Sequence, residues 1–327
     1  MPDRDATLSR IRLRHLQCFL AVAQLGNLRR AAQALAITQP AVTKTINELE
    51  DMLGAALFVR GRKGATLTPE GEAFLPHANA SVNALGQAVD SVLAGPGEPA
   101  LRIGVLPTIA PSFVPQVLRG FAAIRPLAAL RVHTGRNKLL IDMLRGRELD
   151  AVIGRLSDPD AMAGVTFEHL YAEPLVIVVR PGHPFALKPA RGRPPVAALA
   201  GCPMVLPLAG TMIRQLADGF LERHGLAPRA GLVETLDTSL ARALVAGGDH
   251  LWFTPLGAAL PDLEAGTLAR LNLAITPEEP VGLMLRTDAL PSAGLQALLG
   301  VVRHEAAARR TPPVARPRGR KRVDRSA

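Results

Sequence analysis

Gln39, Thr43, Lys44 and Asn47 follow one another at steps of four, one and three residues, spacing that lines them along one side of a helix. Their chemistry suits the edge of double-stranded DNA. Glutamine and asparagine pair with adenine edges, threonine reaches bases or phosphates, and lysine meets phosphate or guanine. On the other side, Val42, Ile46, Leu49 and Leu53 recur at steps of four, three and four, an apolar stripe. Thr38 stands where a helix N-cap belongs, and Pro40 falls in the first turn, where its missing N–H is harmless. The preceding segment is rich in small residues (Ala31, Ala32, Ala34), which lets a partner helix approach closely. The stretch 27–53 therefore reads as two short helices joined by a tight turn, the second built for a DNA groove. An amphipathic helix pair facing solvent is the plainer alternative.

A second cluster of cations follows. LFVRGRKGATLT reads as two short strands around a Gly-rich turn with Arg60, Arg62 and Lys63 at the tip. Beside a recognition helix, such a hairpin is a wing whose charges can sit over phosphates; by itself it is an ordinary charged hairpin. Upstream, Leu13, Leu16, Phe19, Leu20 and Ala23 form one apolar helix face, with Cys18 packed inside, and Gly26-Asn27 ends that helix.

A third set belongs to a pocket. From Leu101, strand patterns alternate with helix patterns, as in parallel sheets covered by helices. In such folds ligands bind beyond the strand ends, against helix N-termini. Thr108 follows the first strand. Gly135-Arg136-Asn137 follows the second, with Asn137 as cap and Arg136 as a free cation. Gly210-Thr211-Met212-Ile213-Arg214 opens a later helix. Helix dipoles and two arginines favour an anion. Thr108 and Thr211 suit capping as well as ligand contact, and Arg214 suits an ion pair with Asp218.

These sets must be held by elements of the right length. Thr68-Pro69-Glu70 is a helix start, and Leu75, Ala78, Val82, Leu85, Val89 and Val92 then repeat at three and four, a seam for pairing with a second copy. Gly95–Pro99 breaks the chain. The expected division is a DNA-binding domain over 1–69, a dimerisation helix over 70–94, an effector domain over 95–305 and a disordered basic tail over 306–327. The effector domain splits into 100–173 with 281–305, and 174–280.

Composition bounds the rest. The chain has 327 residues, 48% hydrophobic but only 3% aromatic, so its core is built from Leu, Val and Ala. Net charge is +10, of which residues 303–327 carry +7, so the high basicity is not evidence that the folded body binds DNA. Cys18 and Cys202 fit no metal or redox spacing. The eight histidines make no ligand pairs, with His183 and His224 expected on loops, and Glu278-Glu279 is expected to be solvated. No catalytic motif is found, no cofactor is implied, and no run is long enough to span a bilayer, which points to a cytoplasmic protein that is not an enzyme.

Leu16–Leu20, Arg30-Ala31-Ala32, Thr38–Thr43, Leu49-Glu50, Leu57-Phe58 and Leu67–Gly71 stand in an order and spacing that resembles the LysR-type transcriptional regulators. The likeness runs from about Leu13 to Arg303. Within the family the chain is most similar to the PcaQ group, regulators of protocatechuate catabolism, through runs such as RHLQCFLAVA, RGRKGATLT, FEHLY and PVGL. The resemblance implies an N-terminal winged helix-turn-helix, mainly α, a long linker helix, and an α/β effector domain like a periplasmic binding protein. Two strands would cross between its subdomains near Tyr171–Pro174 and Glu278–Val281. Asn27, Arg30, Thr38 and Pro40 join the DNA-facing set, and family effector positions match Thr108, Arg136 and Thr211–Ile213. The implied partners are operator DNA, a carboxylated effector, RNA polymerase and further copies of the chain as a dimer or tetramer. A sugar-responsive regulator with a neutral effector is the rival within the family, and a solute-binding protein the rival outside it.

Overall fold

The computed structural model describes residues 4–61, 64–93, 100–186, 196–227, 231–273 and 275–310. The expected contacts Arg62 and Lys63, and the tail from 311, lie outside them.

The N-terminal unit is helical. Helices α1 (Arg4–Arg10), α2 (Leu13–Leu25), α3 (Leu28–Ala34) and α4 (Gln39–Leu53) precede a hairpin of β1 (Phe58–Gly61) and β2 (Gly64–Leu67). Its small core joins Phe19 and Val22 to Val42, Ile46 and Leu49, all fully buried, with Cys18, Ala31 and Ala32 beside them. Two glycines bring hairpin and helix together. Gly26 ends α2 in the left-handed region at φ 61°, and its carbonyl accepts the Ala65 N–H at 2.8 Å. Gly64, at φ 127°, lies so close that a Cβ there would meet the Gly26 oxygen at 2.2 Å. Any side chain would push the wing away from the helices.

Helix α5 (Pro69–Leu93) starts as its sequence dictates, with the Thr68 hydroxyl accepting the Gly71 N–H at 3.0 Å. Its apolar repeat is divided between two roles. Phe74 packs edge-on against Phe19 with centroids 5.1 Å apart, Leu75 is half-buried on the same core and Ala78 is fully enclosed. Val82 is half-buried, while Leu85, Val89 and Val92 are exposed. Only the second half of the expected seam is left uncovered, because the first half closes the N-terminal core.

Beyond it stand β3 (Leu101–Val105), α6 (Ala110–Ile124), β4 (Leu130–Thr134), α7 (Asn137–Arg145), β5 (Ala151–Arg155), β6 (Val165–Val179), β7 (Met204–Leu206), α8 (Met212–Arg223), β8 (Leu232–Glu234), α9 (Thr238–Gly247), β9 (Leu251–Pro255), α10 (Leu256–Ala265), β10 (Ala269–Arg270), β11 (Ile275–Arg286) and α11 (Ala293–Arg310). The strands run in the order β4-β3-β5-β11-β6-β9-β7-β8, with β10 on β6. The outer trios β4-β3-β5 and β9-β7-β8 are parallel, whereas β11 pairs antiparallel with both β5 and β6. The sequence predicts parallel sheets; the long antiparallel pair at the centre is the difference, and its two strands carry the chain between lobes. One core gathers around Phe113, Ile141 and Leu283, another around Phe220, Phe253 and Ile275, and each crossing strand contributes to both.

Residues 306–310, expected in the tail, belong to the last helix. Helix α11 continues through Arg310, with Ala306 fully buried. Arg309 lies over Phe113 and Tyr171, 5.0 and 5.2 Å from their ring centroids, and Arg310 donates to the carbonyls of Leu170 and His169. Stacking and carbonyl pairing give these basic residues a seat that their hydrophilicity alone does not forecast.

Candidate functional site

Two concave surfaces gather the candidate residues. The first lies on α4, where Gln39, Pro40, Thr43, Lys44 and Asn47 share one open surface with Glu48 and Asp51. The helix presents this face because Val42, Ile46 and Leu49 are wholly buried behind it. Its start is fixed by Thr38, whose hydroxyl accepts the Ala41 N–H at 3.4 Å. Gln39 and Thr43 have no side-chain hydrogen bond among the described residues. Lys44 is 79% exposed and only 4.0 Å from Glu48 at its nearest, a contact worth little in water. Asn27 caps α3, its side-chain oxygen accepting the N–H groups of Arg29 and Arg30 at 2.9 and 3.1 Å, while Arg30 is exposed.

Arg60 departs from its expected place at the tip of the wing. It folds back onto the recognition helix, donating to Asn47 at 2.5 Å and to Glu50 at 3.3 Å. The other Glu50 oxygen accepts the backbone N–H groups of Leu57 and Phe58 at 2.8 and 3.1 Å. Glu50 therefore ties wing to helix, and Arg60 completes the joint. The sequence reading used Leu49-Glu50 only for the family likeness and gave Glu50 no role in holding the wing.

The second surface is a cleft of about 550 Å³ between the two lobes. Six of the seven expected residues line it: Thr108, Arg136, Asn137, Thr211, Met212 and Ile213. Their roles differ. Ile109, not Thr108, is the cap of α6, and the Thr108 hydroxyl makes no hydrogen bond among the described residues. Thr211 is the cap of α8; its hydroxyl accepts the Arg214 N–H at 3.3 Å and donates to the Leu208 carbonyl at 2.8 Å. Arg136, not Asn137, stands at the cap position of α7, and its guanidinium has no partner among the described residues. The Asn137 side chain instead donates to the Arg155 carbonyl at 2.7 Å and to Ser157 at 2.6 Å.

Arg214 is the correction. It does not line the cleft; it donates to Asp218 at 2.7 Å, to the Pro207 carbonyl at 3.0 Å and to Glu234. Two carboxylates within reach outcompete a position facing the opening. The cleft gains Lys138, Arg155, Asp142 and Asp158 instead.

Arg155 is a second residue that sequence reasoning missed. It ends β5 almost wholly buried and donates to Glu173 of β6 at 2.6 Å. The other Glu173 oxygen accepts the Gly257 N–H at 2.8 Å, at the start of α10. Arg155 Nε and Nη1 have no hydrogen-bond partner among the described residues. Glu279 of β11 stands opposite Glu173 in the strand register and is also buried, not solvated as its sequence suggests. Burial raises the pKa of both acids above the ordinary glutamate value, and Arg155 pulls against that rise. The available signal was a charge inside each apolar strand, in DAVIGR and LYAEPLVIVV. His183 is buried too rather than on the surface. Burial likewise raises the pKa of the Cys18 and Cys202 thiols above the ordinary cysteine value.

Among the described residues no cluster of metal-ligating side chains occurs, and no helix is long and apolar enough to cross a membrane. Comparison with known proteins matches residues 13–72 to the bacterial regulatory helix-turn-helix protein, lysR family, and residues 94–307 to the LysR substrate binding domain. The regulator YdcI of Escherichia coli (strain K12), described as uncharacterized, is 40% identical over 90% of this chain and 95% of its own. PcaQ of Agrobacterium fabrum is 39% identical over 91% and 96%. The crystal structure of the LysR family regulator CbnR aligns over 90% of this chain and 99% of that one, with a TM-score of 0.61 at 23% identity. In a related crystal structure full-length CbnR is complexed with its target DNA; there the TM-score is 0.60 at 24% identity, over 90% and 100% of the two chains. The chain belongs to the LysR family, transcriptional regulators and not enzymes, with a DNA-binding helix-turn-helix followed by a two-lobed effector-binding domain.

Proposed function

We propose that this regulator activates genes for aromatic-acid breakdown, those for protocatechuate among them, in response to a carboxylated intermediate such as carboxymuconate. The observation that carries the reading is Arg136, an unpaired guanidinium at a helix start on the cleft wall, with Lys138 beside it. A planar fork in that position grips a carboxylate through two hydrogen bonds. The likeness to PcaQ supports the same class. The N-terminal unit, residues 1–69, reads operator DNA; the helix over 70–94 joins two copies through Leu85, Val89 and Val92; and the effector domain spans 95–305. Dimers or tetramers of the chain work in the cytoplasm and contact RNA polymerase. A neutral polyol is the second reading, and Asp142 and Asp158, acceptors suited to hydroxyl groups, favour it.

Titration calorimetry with protocatechuate, carboxymuconate and neutral sugars separates the two. Wild type is expected to bind an acid, and Arg136→Ala to lose about 1.5–3 kcal/mol of it, the worth of a charged hydrogen bond. Tight sugar binding, or acid binding undiminished in the variant, overturns the reading.

A further inference from the structure

We propose that Asn83 and Gly146 form the joint through which the state of the cleft reaches the DNA-binding unit, with helix α7 as the connecting part. The helix has nine residues, so its ends stand ~13 Å apart. At its start Arg136, Asn137 and Lys138 line the cleft. Just past its end, the Gly146 carbonyl accepts the side-chain N–H of Asn83, on the linker helix α5, at 2.6 Å. A helix leaves its last carbonyls without partners. Here the partner is supplied by the element that carries the DNA-binding unit.

The two helices are in ordinary van der Waals contact at this joint. A Cβ on Gly146 would lie 3.6 Å from the Asn79 Cβ, one turn of α5 before Asn83. Gly146 has φ −69°, a conformation open to any residue, and a Cβ there would meet the Asp142 carbonyl of its own helix at 3.3 Å before it met α5.

Two routes lead from the cleft to this point. One is α7 itself, which buries Leu140, Ile141 and Leu144 and so moves as a rigid piece. The Asn137 hydrogen bonds to the Arg155 carbonyl and Ser157 fasten its first turn to the end of β5. The other route is Arg145, the last helical residue. It donates to the carbonyls of Ala161 and Ala163 at 2.7 and 2.9 Å, and Ala161 and Asp158 of that loop line the cleft. Both parts of the wall therefore converge on residues 145 and 146. A ligand that draws the walls together moves the Gly146 carbonyl against Asn83. Helix α5 follows, and with it the N-terminal core into which Phe74 and Ala78 are packed. The joint requires only that the cleft be filled, whichever ligand fills it.

The test is a double-mutant cycle read by hydrogen–deuterium exchange on the full chain without ligand. Asn137→Ala loosens the cleft end, and Asn83→Asp keeps the side-chain shape but removes the donor. In the wild-type background Asn137→Ala is expected to speed exchange of the α5 amides at 79–86 about five-fold, the fold-change of a ~1 kcal/mol hydrogen bond. In the Asn83→Asp background it is expected to add nothing, because sites joined through one contact are not additive. Asn83→Gln, which retains the donor, restores part of the response. The amides of β1 and β2 serve as reference and stay unchanged. Equal acceleration in both backgrounds, no acceleration in the wild type, or acceleration that spreads to the reference strands overturns the joint. Asn137→Ser replaces the alanine variant if that one does not fold.

Discussion

On the recognition helix, Gln39, Thr43 and Lys44 stand on the open side of an element whose other side is sealed by Val42, Ile46 and Leu49. In the cleft, Thr211 and Asn137 line the opening while hydrogen-bonded to their own walls, and Arg214 has turned away to Asp218 and Glu234. The first surface presents residues largely uncommitted in the free protein. The second is held together by the residues that line it. A DNA duplex is a rigid partner, so a fixed helix with free side chains suffices to meet it. A small ligand must alter the protein that surrounds it, and side chains that already bond both lobe and lining are the means.

The sharpest way to break this contrast is to remove a structural cation from the cleft. Arg155→Leu leaves Glu173 buried without its counter-charge. Breaking one side of such a pair costs about 3–5 kcal/mol, whereas replacing both partners with apolar residues is often near neutral. Urea denaturation of the full chain should show that loss for Arg155→Leu and recovery of most of it in Arg155→Leu/Glu173→Leu. A wild-type midpoint for the single variant would mean that the cleft wall does not depend on its own lining.

The paired acids give a pH test. Burial raises the Glu279 pKa above its unfolded value, so the folded state binds the proton more tightly than the unfolded one. The neutral form is the comfortable one, and stability declines as pH rises through the raised pKa. Glu279→Gln should therefore melt above wild type at pH 8. The gap should close as pH falls below the ordinary glutamate range of about 4.3. A variant that melts no higher than wild type at pH 8 would show that Arg155 compensates both acids.

On the recognition side, Asn27→Ala removes a cap from α3 and should lower stability by about 1 kcal/mol. The same substitution at Gln39 should leave the melting temperature unchanged, since Gln39 holds nothing. Equal losses at the two positions would erase the distinction between capping and presenting residues.

This distinction also explains what was legible from sequence. Helix α4 could be read because its signals are local: a cap at Thr38, a proline in the first turn, and a stripe at steps of three and four. The α/β alternation followed from the same short-range patterns, and the two-lobed plan from the family likeness; the Gly95–Pro99 break lies outside the described residues. What escaped depended on distance along the chain. Arg155 meets Glu173 eighteen residues on, and Gly257 N–H reaches the same acid across 84 residues. Whether Arg214 faces a ligand or an ion pair turned on Glu234, in a strand 20 residues away. Leu75 and Ala78 showed the right period but not the identity of the surface they cover, because a repeat does not say whether its partner is the same chain or another copy.

The smallest effect, and the finest discrimination, belongs to Lys44. Its ammonium is 79% exposed and 4.0 Å from Glu48, so almost nothing is lost when it turns to a phosphate. Thr43, one residue back in the same surface, is half-buried. Lys44→Ala should weaken binding to every DNA sequence alike and reduce the slope of log affinity against log salt by about 0.9, one phosphate contact on duplex DNA. Thr43→Val should leave that slope intact and change which bases are preferred. Binding titrations at several salt concentrations, on operator fragments selected from a random pool, measure both quantities at once. If Lys44→Ala alters base preference while the salt slope stands, the lysine reads bases, and the recognition face is not the set of independent, uncommitted side chains that sets it apart from the cleft.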